Sequence, residues 1–295
     1  MNRLATYSWL ITAALLLVGF LCLELKIVSY GVAFFMAFPW AVGFAIGTLE
    51  QSWRNVLYLI LGVVIFLVLL LTWHLEGLVC VFMALPIFAI CVLMGSWVQR
   101  AFRQRTAAPA NQPPRLLVLL TPLLVLLVVG QAEKAVTAPP ALVTVTTSVT
   151  LPYPAQQVFE GVQQMDTLAA PKPWLLRLGL PTPYKCVLTA PRVGGRRTCL
   201  FDNGRIVAEI TAYEPGERLT MDVIDYTLTG RHWFHFQDAR YTFRRQGGHT
   251  RVTRTSSYRS QLRPRWYWQP LETLGIAQEH AFVLASLRQN LARGR

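Results

Sequence analysis

The sequence predicts a two-part protein. An α-helical transmembrane region comes first, followed by an α+β domain whose antiparallel sheet is closed by one long C-terminal helix. Three observations point to this. Apolar runs of membrane-spanning length succeed one another through roughly the first 130 residues. Most of the charge comes after them. The last fifth of the chain passes from a β-branched run at 250–258, through the basic turn Arg263, Pro264, Arg265 and the cluster Trp266, Tyr267, Trp268, into one amphipathic pattern that reaches the end.

Up to Gly130 the chain holds seven Lys/Arg and three Asp/Glu, and after it 21 and 12; net charges of +4 and +9 make up the overall +13. A basic domain tethered beside a bilayer points to anionic lipid headgroups as partners, each nearby Lys or Arg gaining about 1 kcal/mol there. No nucleic-acid module, phosphate-cradling glycine loop, Ser/His/Asp spacing or zinc spacing is visible, and no nucleic-acid partner or cofactor is expected.

Within a membrane region of residues 1–134, spans are expected at 4–23, 27–49, 56–73 and 78–98. A fifth run at 115–132 is shorter, with Lys134 placed to snorkel. Arg3, Arg54 and the group Arg100, Arg103, Arg105 and Arg115 mark the cytoplasmic loops; the opposite loops offer only Lys26 and, near His74 and Glu76, nothing basic. Five spans put the second domain outside the cytoplasm, and four leave it inside. The expectation is an integral plasma (inner) membrane protein with an extracytoplasmic domain. Glu24, Lys26, Glu50, Arg54, His74 and Glu76 all fall at span ends, which argues against a pump or proton relay. Gly43 and Gly47 form a small-residue face suited to helix packing within the bundle. Cys22, Cys80 and Cys91 lie in apolar runs as small hydrophobes. The stretch 107–114 is a loop, and 135–141 links the membrane region to the domain at 142–295.

In that domain Val and Thr alternate over 142–151, a strand, and a helix is expected over 155–165 with Val158, Phe159 and Val162 on one side. A short helical turn at 174–178 precedes strands at 184–189, 196–201, 205–213, 219–226, 240–245 and 251–258. Period-two alternation turns Ile206, Ala208, Ile210 and Ala212, then Leu219, Met221 and Val223, then Tyr241 and Phe243, to one face; Glu209, Asp222 and Arg244 go to the other. On the last helix Leu271, Leu274, Gln278, Ala281, Phe282, Ala285 and Leu291 form the expected apolar stripe.

The segments 151–159, 193–201 with 204–207, and 250–258, then Pro264 with Trp266 and Trp268, then His280, Val283 and Leu284, resemble the START-like SRPBCC superfamily. The likeness covers 142–291 and is to a membrane-anchored branch of the polyketide cyclase/dehydrase and lipid transport-like kind. It implies a helix-grip fold, a curved antiparallel sheet around the long C-terminal helix with an apolar cavity between them. None of these segments is catalytic in itself.

The expected function is binding, transport or sensing of a hydrophobic small molecule or lipid in that cavity. Expected ligand contacts are Ile206, Ile210, Met221, Val223, Phe243, Arg254, Tyr258, Trp266, Leu274 and His280. Arg254 shares the parity of Val252, Ser256 and Tyr258. Turned inward, it needs a ligand carboxylate or phosphate, or Asp225 or Glu272; turned outward, it is solvated. A cyclase or dehydratase using Tyr258 or His280 as acid/base is the alternative and an enzyme the less favoured reading; a membrane interaction or sensor protein is a third. Trp233, Phe234, Trp266 and Trp268 are candidate membrane contacts, and the stretch from Arg231 to Phe236 reads either as a loop over the cavity mouth or as a strand edge on the core. His232, His235 and Asp238 are not expected to bind metal, because residues three apart on an extended chain face opposite ways. Cys186 and Cys199 flank a hairpin turn: in an oxidising compartment they can pair, and otherwise they are two reduced core thiols.

Overall fold

A computed structural model describes residues 8–47, 53–72, 78–106, 116–228 and 232–294. Arg3, Glu50, His74, Glu76, the loop 107–114, Arg115, Arg231 and the side chains of Arg54, Arg103 and Arg105 lie outside the described residues. The chain packs as two compact units, one largely of the helices up to Pro139 and one largely of residues from Pro140 on.

The first unit is helical. It comprises α1 (Ser8–Glu24), a π-helical turn (Ala33–Ala37) running into α2 (Phe38–Gly47), α3 (Trp53–Thr72), α4 (Leu78–Thr106) and α5 (Leu116–Val136). Leu16, Phe20, Phe38, Phe66 and Phe88 fill its interior. Helices α2 and α4 meet backbone to backbone. A Cβ on Gly43 would stand 1.9 Å from the carbonyl oxygen of Val92, and one on Gly95 2.0 Å from that of Trp40, so only glycine permits the approach. The end of α5 ties down the turn after α1: the Glu133 carboxylate accepts the Val32 and Ala33 N–H groups at 2.8 and 2.9 Å, capping free donors at a helix start. Lys134 does not run free toward water; its Nζ donates to the Lys26 and Ile27 carbonyls at 2.6 and 2.8 Å. Among the described residues, Leu78–Phe102 is the stretch long and apolar enough to cross a membrane by length and composition.

The second unit has the helix-grip fold. Strands β1 (Leu142–Leu151), β2 (Pro183–Leu188), β3 (Arg196–Phe201), β4 (Gly204–Glu214), β5 (Arg218–Tyr226), β6 (Phe234–Gln246) and β7 (His249–Ser260) form one antiparallel sheet in the order β1-β7-β6-β5-β4-β3-β2. Helices α6 (Ala155–Gln163) and α7 (Trp174–Arg177) follow β1, and α8 (Arg265–Ala292) closes the domain. The main core joins Val158, Phe159 and Val162 of α6 to Ile210, Met221 and Phe243 of the sheet and Phe282 and Leu287 of α8.

Three local features depart from the alternation read in the sequence. A bulge between Ile210 and Ala212 on β4 pairs Tyr213 with inward-facing Leu219, so Tyr213 rather than Ala212 turns inward and meets Phe159 at 5.3 Å. Strand β6 begins at Phe234 instead of 240, because a bulge between Phe236 and Asp238 reverses its parity and hides the alternation. The buried face of α8 carries Ile276, His280, Val283, Leu284 and Leu287, whereas Leu274, Ala281 and Ala285 are exposed. Polar residues conceal that face in the sequence. Ser286 Oγ accepts the Ala170 N–H at 3.2 Å, and Asn290 Nδ2 donates to the Thr167 carbonyl at 2.8 Å.

Candidate functional site: a buried polar band in the grip

The interior of the grip is not one continuous apolar core. A second, smaller cluster of Val145, Tyr258 and Ile276, with Phe234 and Phe236 against it, lies apart from the main one. The inward faces of the strands also carry polar residues. On β7 the inward run is Val252, Arg254, Ser256, Tyr258, and its neighbours in register put Thr147 and Tyr241 beside Arg254. Arg197 on β3 pairs in register with Ala208, a core residue, and therefore shares its inward face. From α8 come Glu279 and His280, facing the same band.

Arg254 Nη2 meets the Glu279 carboxylate at 2.9 and 3.1 Å. Asp225 and Glu272, the partners considered from sequence, are engaged elsewhere. Asp225 pairs with Arg205 at 3.6 Å, and Glu272 accepts hydrogen bonds from Tyr258 Oη at 3.0 Å and Ser260 Oγ at 2.6 Å. The reason is register. Glu272 and Glu279 are two helical turns apart, about 10 Å of rise, and each falls opposite a different stretch of β7. Burial pulls the Arg254 guanidinium down, but the Glu279 charge, the neighbouring Tyr241 and the hydrogen bond to Glu279 together outweigh it, and the pKa ends above its ordinary value.

Arg197 is 5% exposed. Its guanidinium lies 5.8 Å from the centre of the Tyr241 ring, with that of Arg254 at 5.6 Å from the same ring. Burial, reinforced by the neighbouring Arg254 charge, pushes the Arg197 pKa below its ordinary value, against opposing contributions from Tyr241 and Glu279. Nε and Nη1 of both arginines are buried without a hydrogen-bond partner.

His280 is fully buried. Its Nε2 lies 2.9 Å from Ser256 Oγ and its Nδ1 3.2 Å from Thr147 Oγ1, so it ties α8 to β7 and β1. Burial, with the Arg254 charge nearby, lowers its pKa to about 2. The imidazole is neutral at physiological pH and a weak base there. Tyr258 is fully buried, stacked on Phe234 at 4.6 Å, with its hydroxyl donated to Glu272.

The other residues singled out from sequence fall in different places. Ile210, Met221 and Phe243 are in the main core, with Val223 packed at its edge, and Ile206 is half-buried on β4. Leu274 is on the exposed side of α8. Of the aromatics offered as membrane contacts, Trp266 is 70% exposed, whereas Trp268 is buried, Phe234 packs on Tyr258, and Trp233 is half-buried against Phe234. Cys186 and Cys199, paired in register on β2 and β3, form a disulfide. Arg197 and Glu279 were not picked out from sequence. The signal for Arg197 was parity: it stands two residues before Cys199, whose pairing with Cys186 turns both inward.

Where β5 and β6 stop pairing, at Asp222 and Asp238, the strands part. A cleft of about 350 Å³ opens there, lined among others by Val223, His235, Phe236 and Arg259. Val223 borders the main core and Phe236 the smaller cluster. Among the described residues no three His, Cys, Asp or Glu side chains converge to hold a metal ion.

A family model described as polyketide cyclase/dehydrase and lipid transport matches residues 143–292. No curated protein matches. Among solved structures, protein Ms6760 from Mycobacterium smegmatis is 16% identical with a TM-score of 0.37, over 52% of this chain and 92% of its own. Zhui aromatase/cyclase from Streptomyces sp. R1128 is 15% identical with a TM-score of 0.39, over 52% and 97%. Protein TTHA0849 from Thermus thermophilus is 14% identical with a TM-score of 0.38, over 52% and 99%.

Proposed function

Because the chain belongs to the polyketide cyclase/dehydrase and lipid transport family, we propose that its second unit binds a hydrophobic small molecule or lipid between the sheet and α8. In this reading the N-terminal helices hold it at the outer face of a membrane. The observation that carries the reading is the divided interior: two apolar clusters with a partly unsatisfied polar band facing inward, in a fold whose sheet is parted beside them. A domain packed only for stability leaves few buried polar atoms without partners. In this reading the cleft between β5 and β6, bordered by Val223 and Phe236, is the way in. The disulfide of Cys186 and Cys199 favours an oxidising compartment and hence the extracytoplasmic side. The apolar stretch Leu78–Phe102 and the neighbouring apolar helices favour the membrane anchor.

Native mass spectrometry of the full-length protein, extracted gently from its host membrane, tests this. A lipid-sized mass that copurifies at one per chain is the expected result. A protein that is empty after extraction, and that takes up no long-chain probe afterwards, sinks the reading.

A cyclase or dehydratase in the same cavity is the second reading, favoured by the hydrogen-bonded pair of Tyr258 and Glu272 inside the grip. The low pKa of His280 directs any acid/base role away from it. Turnover of a poly-β-ketone analogue that is lost in Tyr258→Phe and kept in His280→Gln is the result this reading requires.

A further inference from the structure

Arg197 and Arg254 converge on Tyr241 inside the grip, and one carboxylate, Glu279, faces the two of them. Glu279 is bound to Arg254 through Nη2, which leaves Nε and Nη1 of Arg254 and Nε and Nη1 of Arg197 without partners. Arg197 has no ion pair among the described residues and is 5% exposed. A buried guanidinium held without an anion is disfavoured unless something completes it. Tyr241 lies against both cations, and their unpartnered Nε and Nη1 donors, which point off different edges of each guanidinium, can each give one charge-assisted hydrogen bond to an oxygen of an oxyacid.

We infer that Arg197 and Arg254 form a receptor for the monoanionic head, a carboxylate or phosphodiester, of an amphiphile whose apolar part lies in the grip. The inference rests on the reading that the grip holds an apolar molecule. It adds what that reading does not contain, a charge requirement on the ligand and the residue that sets it. One uncompensated positive charge calls for one negative charge. Arg254 is half satisfied by Glu279 and positions the site. Arg197 has no such carboxylate and carries the selectivity.

The test places the full-length chain in nanodiscs of phosphatidylcholine and titrates it with a fluorescent long-chain fatty acid and, separately, with the methyl ester of the same probe. Phosphatidylglycerol is then used as a competitor. The acid is expected to bind at least tenfold more tightly than the ester, and Arg197→Leu to abolish that preference. Arg197→Lys, which keeps the charge but not the fork, is expected to retain part of the preference and serves if the Leu variant does not fold. Displacement of the ester by phosphatidylglycerol, dependent on Arg197, supports the receptor and assigns its anion to a phosphodiester; preference for the acid alone assigns it to a carboxylate. Equal binding of acid and ester, with no effect of phosphatidylglycerol, overturns the anion receptor and leaves the apolar-ligand reading standing. Failure of every probe to bind overturns both.

Discussion

Arg254 and Glu279 face each other between β7 and α8 with side chains 13% and 16% exposed, and such pairs matter most when one half is removed. Taking a charge out of water costs more than its partner's attraction returns unless the geometry is good, and an abandoned partner bears the whole cost. Glu279→Gln is therefore expected to lower the stability of the full-length protein by about 3–5 kcal/mol, read by chemical denaturation followed through tryptophan fluorescence. Replacing both residues by apolar ones, Arg254→Met with Glu279→Leu, is expected to cost much less than the single change. His280 contributes differently. Its pKa is about 2 in the folded state against about 6.5 in an unfolded chain, so at intermediate pH the unfolded state holds the extra proton. Its share of stability is intact above pH ~6.5 and is lost steadily as pH falls from there toward 2, by about 1.4 kcal/mol per unit for one proton. Thermal unfolding from pH 7 to 4 is expected to show a shallower slope in His280→Gln than in the parent. Parallel slopes would mean that the ring is protonated in the folded protein.

Helix and strand pairs set the next scale, where a single missing side chain decides how closely two elements lie. At Gly43 an added methyl would meet the Val92 backbone at 1.9 Å, and backbone cannot rotate aside. At Gly47, one turn further along α2, the nearest atoms stand at 3.2 Å. Gly43→Ala is expected to push α2 from α4 and cost about 1–3 kcal/mol or more, while Gly47→Ala costs less. Melting of the two purified variants side by side checks the order, and equal losses would count against the close approach. The strands show a related logic. Strict alternation reads correctly where pairing is regular, as at Leu219 and Met221, and fails where a bulge adds one residue, as at Ala212 and Tyr213. A bulge forms because two strands of a bending sheet differ in length, a condition that neither strand carries alone.

For the whole molecule, the distribution of charge and of apolar length sets where each unit can reside. Residues up to Gly130 carry a net charge of +4 and those after it +9. If five apolar runs cross the membrane, a reporter fused after Arg295 that is active only outside the cytoplasm should be active, and an even number of crossings would leave it silent. The same fusion bears on Cys186 and Cys199, since a disulfide persists where the compartment is oxidising.

What the sequence by itself determined was the order of things. It specified apolar runs before a basic α+β domain, the chain order of the strands, the turn-rich hairpins, and the last strand leading through an aromatic hinge into one long helix. These follow from local rules, the period of burial and the chemistry of turns, which act over a few residues. Only the tertiary structure decided which polar residues share the inside. Arg197, Tyr241, Arg254 and Glu279 come from β3, β6, β7 and α8 and lie as much as 82 positions apart in the chain. Their meeting depends on sheet register and on the rotation of α8, and the helix's buried stripe was masked by His280, Ser286 and Asn290. Burial of a charge is a property of the space around it. That space exists once β7 and α8 have closed the grip.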